Sequence, residues 1–220
     1  MMAPSLDTLL SREVAGDDAA RARALAAVRA ELASPVPVRG WRAQAARLLG
    51  FSVALTAAAA GVLWALGRTS GEVLWAHAPR LALLWAISAV CARAALAPRG
   101  QALQRAGLGL ALVGAAALVL ARDSIQAPSS LPEWVCTLSQ FGMGVLPGVV
   151  TLAALRSAAF HPRRALLGGL SVGTAGAFVG ELACAQGRHH VLLYHLSAWA
   201  LVSVTTLVVS RFLTPRSYAP

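Results

Sequence analysis

The chain has 220 residues, and 57% of them are hydrophobic, a share above that of an ordinary soluble domain. Its net charge of +10 would suit a nucleic-acid binder, but the arginines are spread over loops and helix ends, with no basic cluster interleaved with stacking aromatics. Direct nucleic-acid binding is therefore not expected, and the absence of lysine among the basic residues reads as codon bias.

The chain opens on a polar stretch. Its first 47 residues hold 12 charged side chains, so no cleavable signal peptide is expected. Ser5 is placed to cap a short helix with Leu6, Leu9, Leu10 and Val14 on one stripe. Gly16, Asp17 and Asp18 break it, and a second helix follows with Leu25, Val28 and Leu32 at helical spacing. Ser34-Pro35-Val36-Pro37 ends that helix, because proline disfavours helix in the residue before it. Two such short helices cannot bury their stripes against each other. They need a protein partner, the membrane surface or partial disorder, and a partner would make Leu6, Leu9, Leu10, Leu25, Val28 and Leu32 candidate contact residues.

Six apolar runs follow, at roughly 45–66, 74–92, 103–121, 136–155, 165–185 and 191–212. Each is long enough to cross a bilayer as a helix. No long two-residue alternation suggests a barrel. The expected fold is an all-α integral membrane protein, a six-transmembrane-helix bundle with a short helical cytoplasmic N-terminal segment. Residues 1–44 form that segment, 45–212 the bundle and 213–220 a cytoplasmic tail. Short connections make neighbouring helices antiparallel. Pro79 and Arg80 fall inside or just before the second run, and Pro147, between Gly144 and Gly148, suggests a kink in the fourth.

With these spans, fifteen of the nineteen arginines fall on the side of the termini. Arg68, Arg80, Arg122 and Arg188 fall on the other. The positive-inside rule then places both termini in the cytoplasm. Trp41, Trp75 and Trp134 fall near the interfaces, where indole is favoured.

The fifth run, from Ala165 towards His190, organises the rest. Gly169 and Gly173 form one GxxxG step, and Gly176 and Gly180 form a second, so other helices can approach it closely. It also carries Glu181 and Cys184, with Arg188, His189 and His190 just beyond. Glu181 lies inside the membrane, so it should face the bundle or take a proton; His189, His190 and His195 are the nearby partners. Cys136 lies 24 residues before Phe160, the middle of the turn between the fourth and fifth spans, and Cys184 lies 24 residues after it. In an antiparallel hairpin equal distance from the turn means equal depth. Nineteen or twenty helical steps at about 1.5 Å each reach about 30 Å, across the bilayer core to its outer face. A disulfide, a shared ligand or two unrelated small packing side chains all fit that placement. Thiol and imidazole suit zinc or copper, so Cys136 and Cys184 could form a metal site with His189, His190 and His195, and Cys136, Cys184, His189 and His190 are the alternative metal set. No CxxC or HxxxH spacing supports it, and neither a metal nor a cofactor is expected.

No phosphate-binding loop, HExxH or dinucleotide fingerprint occurs, so no enzyme is expected. The motifs resemble something else. A cysteine opens the fourth span, Val145-Leu146-Pro147-Gly148 and Leu155-Arg156 follow, and a glycine-rich fifth span ends in a cysteine beside histidines. This pattern resembles the NrsF-type membrane anti-sigma factors of bacteria, and among them the regulators of light-induced carotenoid genes. The resemblance covers nearly the whole chain and is closest from about Trp134 to Phe212. It implies an inner-membrane protein that holds an ECF-type sigma factor through its N-terminal segment. Release would follow a membrane or periplasmic signal such as light, oxidative stress or metal stress. Cys136 and Cys184 would correspond to the family's paired periplasmic cysteines, and Glu181 joins them as a candidate sensing group. The competing classes are a small transporter or metal-binding membrane protein, and a membrane enzyme or haem protein with His77 and His195 as axial ligands.

Overall fold

Each of the six apolar runs forms one helix. A computed structural model of the chain describes residues 22–23, 25–27, 29, 40–97, 100–123, 132–156 and 160–213. The helices are α1 (Trp41–Ala65), α2 (Gly71–Leu96), α3 (Gln101–Leu120), α4 (Trp134–Leu155), α5 (Pro162–Ala183) and α6 (Arg188–Phe212). They have 20 to 26 residues, or about 30–39 Å, enough for the hydrocarbon core of a bilayer. No strand occurs among the described residues. All six helices start earlier than their apolar runs, and α2 also ends later. Polar residues such as Arg42, Gln44, Glu72 and Arg93 extend them where they leave lipid. Pro79 lies inside α2, and α4 continues unbroken through Pro147.

The chain divides into two units, Met1–Arg39 and Gly40–Pro220. In the first, Ala22, Arg23, Leu25, Ala26, Ala27 and Arg29 are helical and exposed. Leu6, Leu9, Leu10, Val28 and Leu32 lie outside the described residues.

In the second unit α5 is the central helix. Over its membrane-crossing window 83% of residues are buried, against 17–39% for the other five. The sequence explains why. A Cβ on Gly173 would collide with the Trp199 indole of α6, and one on Gly176 would lie 2.5 Å from the Gln140 carbonyl oxygen of α4. Only glycine lets these helices come so close. The indole N–H of Trp199 donates to Leu170 O at 2.8 Å. Across the α2–α5 contact, the Ser171 hydroxyl donates to Ser88 O at 2.9 Å. At the end of the bundle where α5 starts, the Arg164 guanidinium donates to Ala95 O (2.6 Å) and Leu96 O (3.1 Å), capping the last carbonyls of α2. Outward-facing Leu112, Val113, Leu146 and Val149 are exposed, as side chains bathed in lipid should be.

Candidate functional site

The opposite end of the bundle is built from the ends of α1, α3 and α5 and the starts of α2, α4 and α6. Two clusters of titratable side chains meet there.

The first surrounds Glu181, in the last turn of α5 and 2% exposed. One carboxylate oxygen accepts from Arg122 Nη2 at 2.8 Å. The other faces Arg80 Nη1 at 3.2 Å and His77 Nδ1 at 3.4 Å, both from α2. A buried carboxylate without partners would be very costly in a bilayer. These partners differ from the expected His189, His190 and His195. Those three belong to the next segment of chain, whereas α2 and the end of α3 face the carboxylate. Arg80 and Arg122 were legible in one respect: both sat on the arginine-poor side, and Arg80 lay in or next to a span. An intramembrane arginine needs an acid, and Glu181 is the acid available.

Arg122 also ties three segments together. Its Nη1 donates to Cys184 O at 3.0 Å. Its own carbonyl accepts from Arg188 Nη2 at 3.3 Å, and the Arg188 backbone N–H donates to Asp123 O at 2.8 Å. The end of α3, the end of α5 and the start of α6 are thereby fixed to one another.

The second cluster lies beside it. One ligand-type atom from each of Cys136, Cys184, His190 and His195 falls within 4.8 Å of all the others. Cys136 stands in the first turn of α4 and Cys184 caps the end of α5, so equal distance from the turn brings the thiols to one depth. Both are half-buried and carry free thiols. His190 and His195 are 2% and 4% exposed. His189 is exposed and stays out of the cluster.

Of the three histidines the sequence offered beside the thiols, the structure brings His190 and His195 to them and leaves His189 out. The reason is a π turn over Val191–His195, in which the Leu196 N–H reaches back to Val191 O. Residues five apart lie about 140° apart around an α-helix. A π turn closes one bond later and brings them nearer to one face. The ring centroids of His190 and His195 stand 5.3 Å apart. The Thr137 hydroxyl donates to Tyr194 O at 3.0 Å and so satisfies a carbonyl in the widened turn. Gly180 makes room on the α5 side. A Cβ there would lie 2.6 Å from Gln140 Nε2 and 2.9 Å from His195 Nδ1. His77 and His195, the two imidazoles weighed as haem ligands, belong to different clusters.

No family model matches the chain, and no solved structure matches it. Among curated proteins, the chain is 54% identical to "Carotenogenesis protein CarR" of Myxococcus xanthus over 215 residues. The match covers 98% of this chain and 97% of that protein. The chain belongs to the CarR family. The six helices, the ion-pair cluster and the thiol–imidazole cluster all lie within the span shared with CarR, since only a few residues fall outside it.

Proposed function

We propose that this protein is an integral-membrane anti-sigma factor of the bacterial inner membrane. It holds an ECF-type, CarQ-like sigma factor and so represses its target genes, carotenoid genes among them. The observation that carries the reading is the near full-length identity to CarR, joined to a six-helix bundle with a polar segment ahead of it. In this reading residues 45–212 are the anchor and both termini are cytoplasmic. The arginine asymmetry supports that orientation.

The sigma factor docks on residues 1–44. Leu6, Leu9, Leu10, Leu25, Val28 and Leu32 are the contacts, in the helix-in-groove mode. Leu25 is 48% exposed, as a side chain awaiting a partner would be. The signal is received at the far end of the bundle by Cys136, Cys184 and Glu181. A 3.0 Å bond from Arg122 to the Cys184 carbonyl supports coupling between them, because Arg122 also holds Glu181. A small transporter would need a polar path at mid-depth. There Ser88 and Ser171 bond to each other, and Thr174 donates to Ser171 O at 2.6 Å, which supports the regulatory reading instead.

Deleting residues 1–35 tests the proposal. The truncated protein should stay in the membrane fraction while target genes become constitutive. Intact repression by the truncated protein would refute it.

A further inference from the structure

We infer that Cys136, Cys184, His190 and His195 form a binding site for one transition-metal ion of the zinc class, held by two thiolates and two imidazoles. The inference concerns this cluster alone and stands whether or not the protein holds a sigma factor. Two thiols and two imidazoles are the donor set of tetrahedral structural zinc sites. With zinc–sulfur bonds of about 2.3 Å and zinc–nitrogen bonds of about 2.0–2.1 Å, tetrahedral donors lie about 3.4–3.8 Å from one another. The four donors here already lie within 4.8 Å, so side-chain rotation by about an ångström would close the site.

Three further observations point to a ligand. His190 Nδ1 and Nε2 and His195 Nε2 are buried and have no hydrogen-bond partner among the described residues. Buried polar atoms of that kind are normally satisfied, and coordination would satisfy one on each ring. His190 Nδ1 lies 3.9 Å from Glu133 Oε1, beyond hydrogen-bond length but close enough for the carboxylate to orient the ring once it is metal-bound. Finally, the π turn is what brings the second imidazole to the first, and π turns recur at functional sites.

The charges balance as well. Binding Zn²⁺ displaces one proton from each thiol to solvent, so two thiolates neutralise the ion and two neutral imidazoles complete it. The resulting centre has no net charge, which suits a site at the edge of a bilayer. The ion would enter from the side of the half-buried thiols, with the buried imidazoles behind.

The test uses the full-length protein, purified in detergent under a thiol-preserving reductant and loaded with zinc or with cobalt(II). We expect one zinc per chain to survive exhaustive dialysis. The cobalt form should show the visible absorption of tetrahedral thiolate coordination. C136S, C184S and H195A should each weaken zinc binding more than about 100-fold, since groups that merely orient a ligand are worth about 10- to 100-fold. C91S and H189A should bind as the parent does, because Cys91 lies buried on α2 and His189 is outside the cluster. The isosteric C136S keeps the result interpretable if H195A fails to fold. Bound zinc should also protect two of the three thiols from alkylation. Zinc that dialyses out of the parent protein, or that C136S and C184S retain at unchanged affinity, would overturn the inference.

Discussion

Replacing Glu181 by glutamine should be the most damaging single isosteric change at the end of the bundle where α5 stops. The carboxylate stands 2.8 Å from Arg122 and 3.2 Å from Arg80, and it is 2% exposed. At an effective dielectric of about 20, those two pairs attract by ~6 and ~5 kcal/mol before desolvation is counted. Glutamine keeps the shape and removes the charge. It leaves Arg122, almost as buried, and the partly buried Arg80 facing each other with no counter-ion. Breaking a buried pair in this way typically costs about 3–5 kcal/mol. Against a total stability of about 5–15 kcal/mol, that is a large fraction. Denaturant unfolding of the purified protein in detergent would measure it. A second variant sharpens the reasoning. Replacing Glu181, Arg80 and Arg122 together by leucine or methionine should recover most of the loss, because an apolar cluster of similar volume strands no charge. A Glu181→Gln protein within about 0.5 kcal/mol of the parent would refute the ion-pair account.

Other consequences can be checked more simply. Gly176→Ala places a Cβ 2.5 Å from the Gln140 carbonyl oxygen, a backbone atom that cannot swing away, so α4 must move. The expected cost is about 1–3 kcal/mol in the same unfolding assay, while Gly109→Ala, with open space around it, should be neutral or slightly stabilising. Reporter fusions at Ala127 and at Arg99 should report opposite compartments, with Arg99 cytoplasmic; equal signals would contradict the proposed orientation.

Much of the bundle was legible in the sequence because a bilayer imposes a length. Six apolar runs of the right size become α1 to α6, and the two GxxxG steps mark α5 as the central helix. The helix ends were less legible, since residues such as Glu72 and Arg93 carry a helix beyond either end of its apolar run. The depth match of Cys136 and Cys184 could be counted from the turn. Their imidazole partners could not be fully counted, because His195 joins His190 only through a π turn, which hydrophobic periodicity does not reveal. The partners of Glu181 come from α2 and from the segment after α3, remote in sequence, so neighbouring histidines were the wrong place to look.

If the N-terminal segment holds a sigma factor at the membrane, the affinity between the two proteins will show it. The full-length protein in detergent would be titrated with the cell's ECF sigma factors, alongside a Leu25→Asp, Leu32→Asp variant. Each leucine buried in a partner's groove contributes about 1.5–3 kcal/mol, so losing two should weaken binding by at least about 3 kcal/mol, more than a hundredfold. A tight complex with one such factor is expected, which the double variant loses while still fractionating with the membrane. No complex with any ECF sigma factor, or an affinity the double variant leaves unchanged, would contradict it.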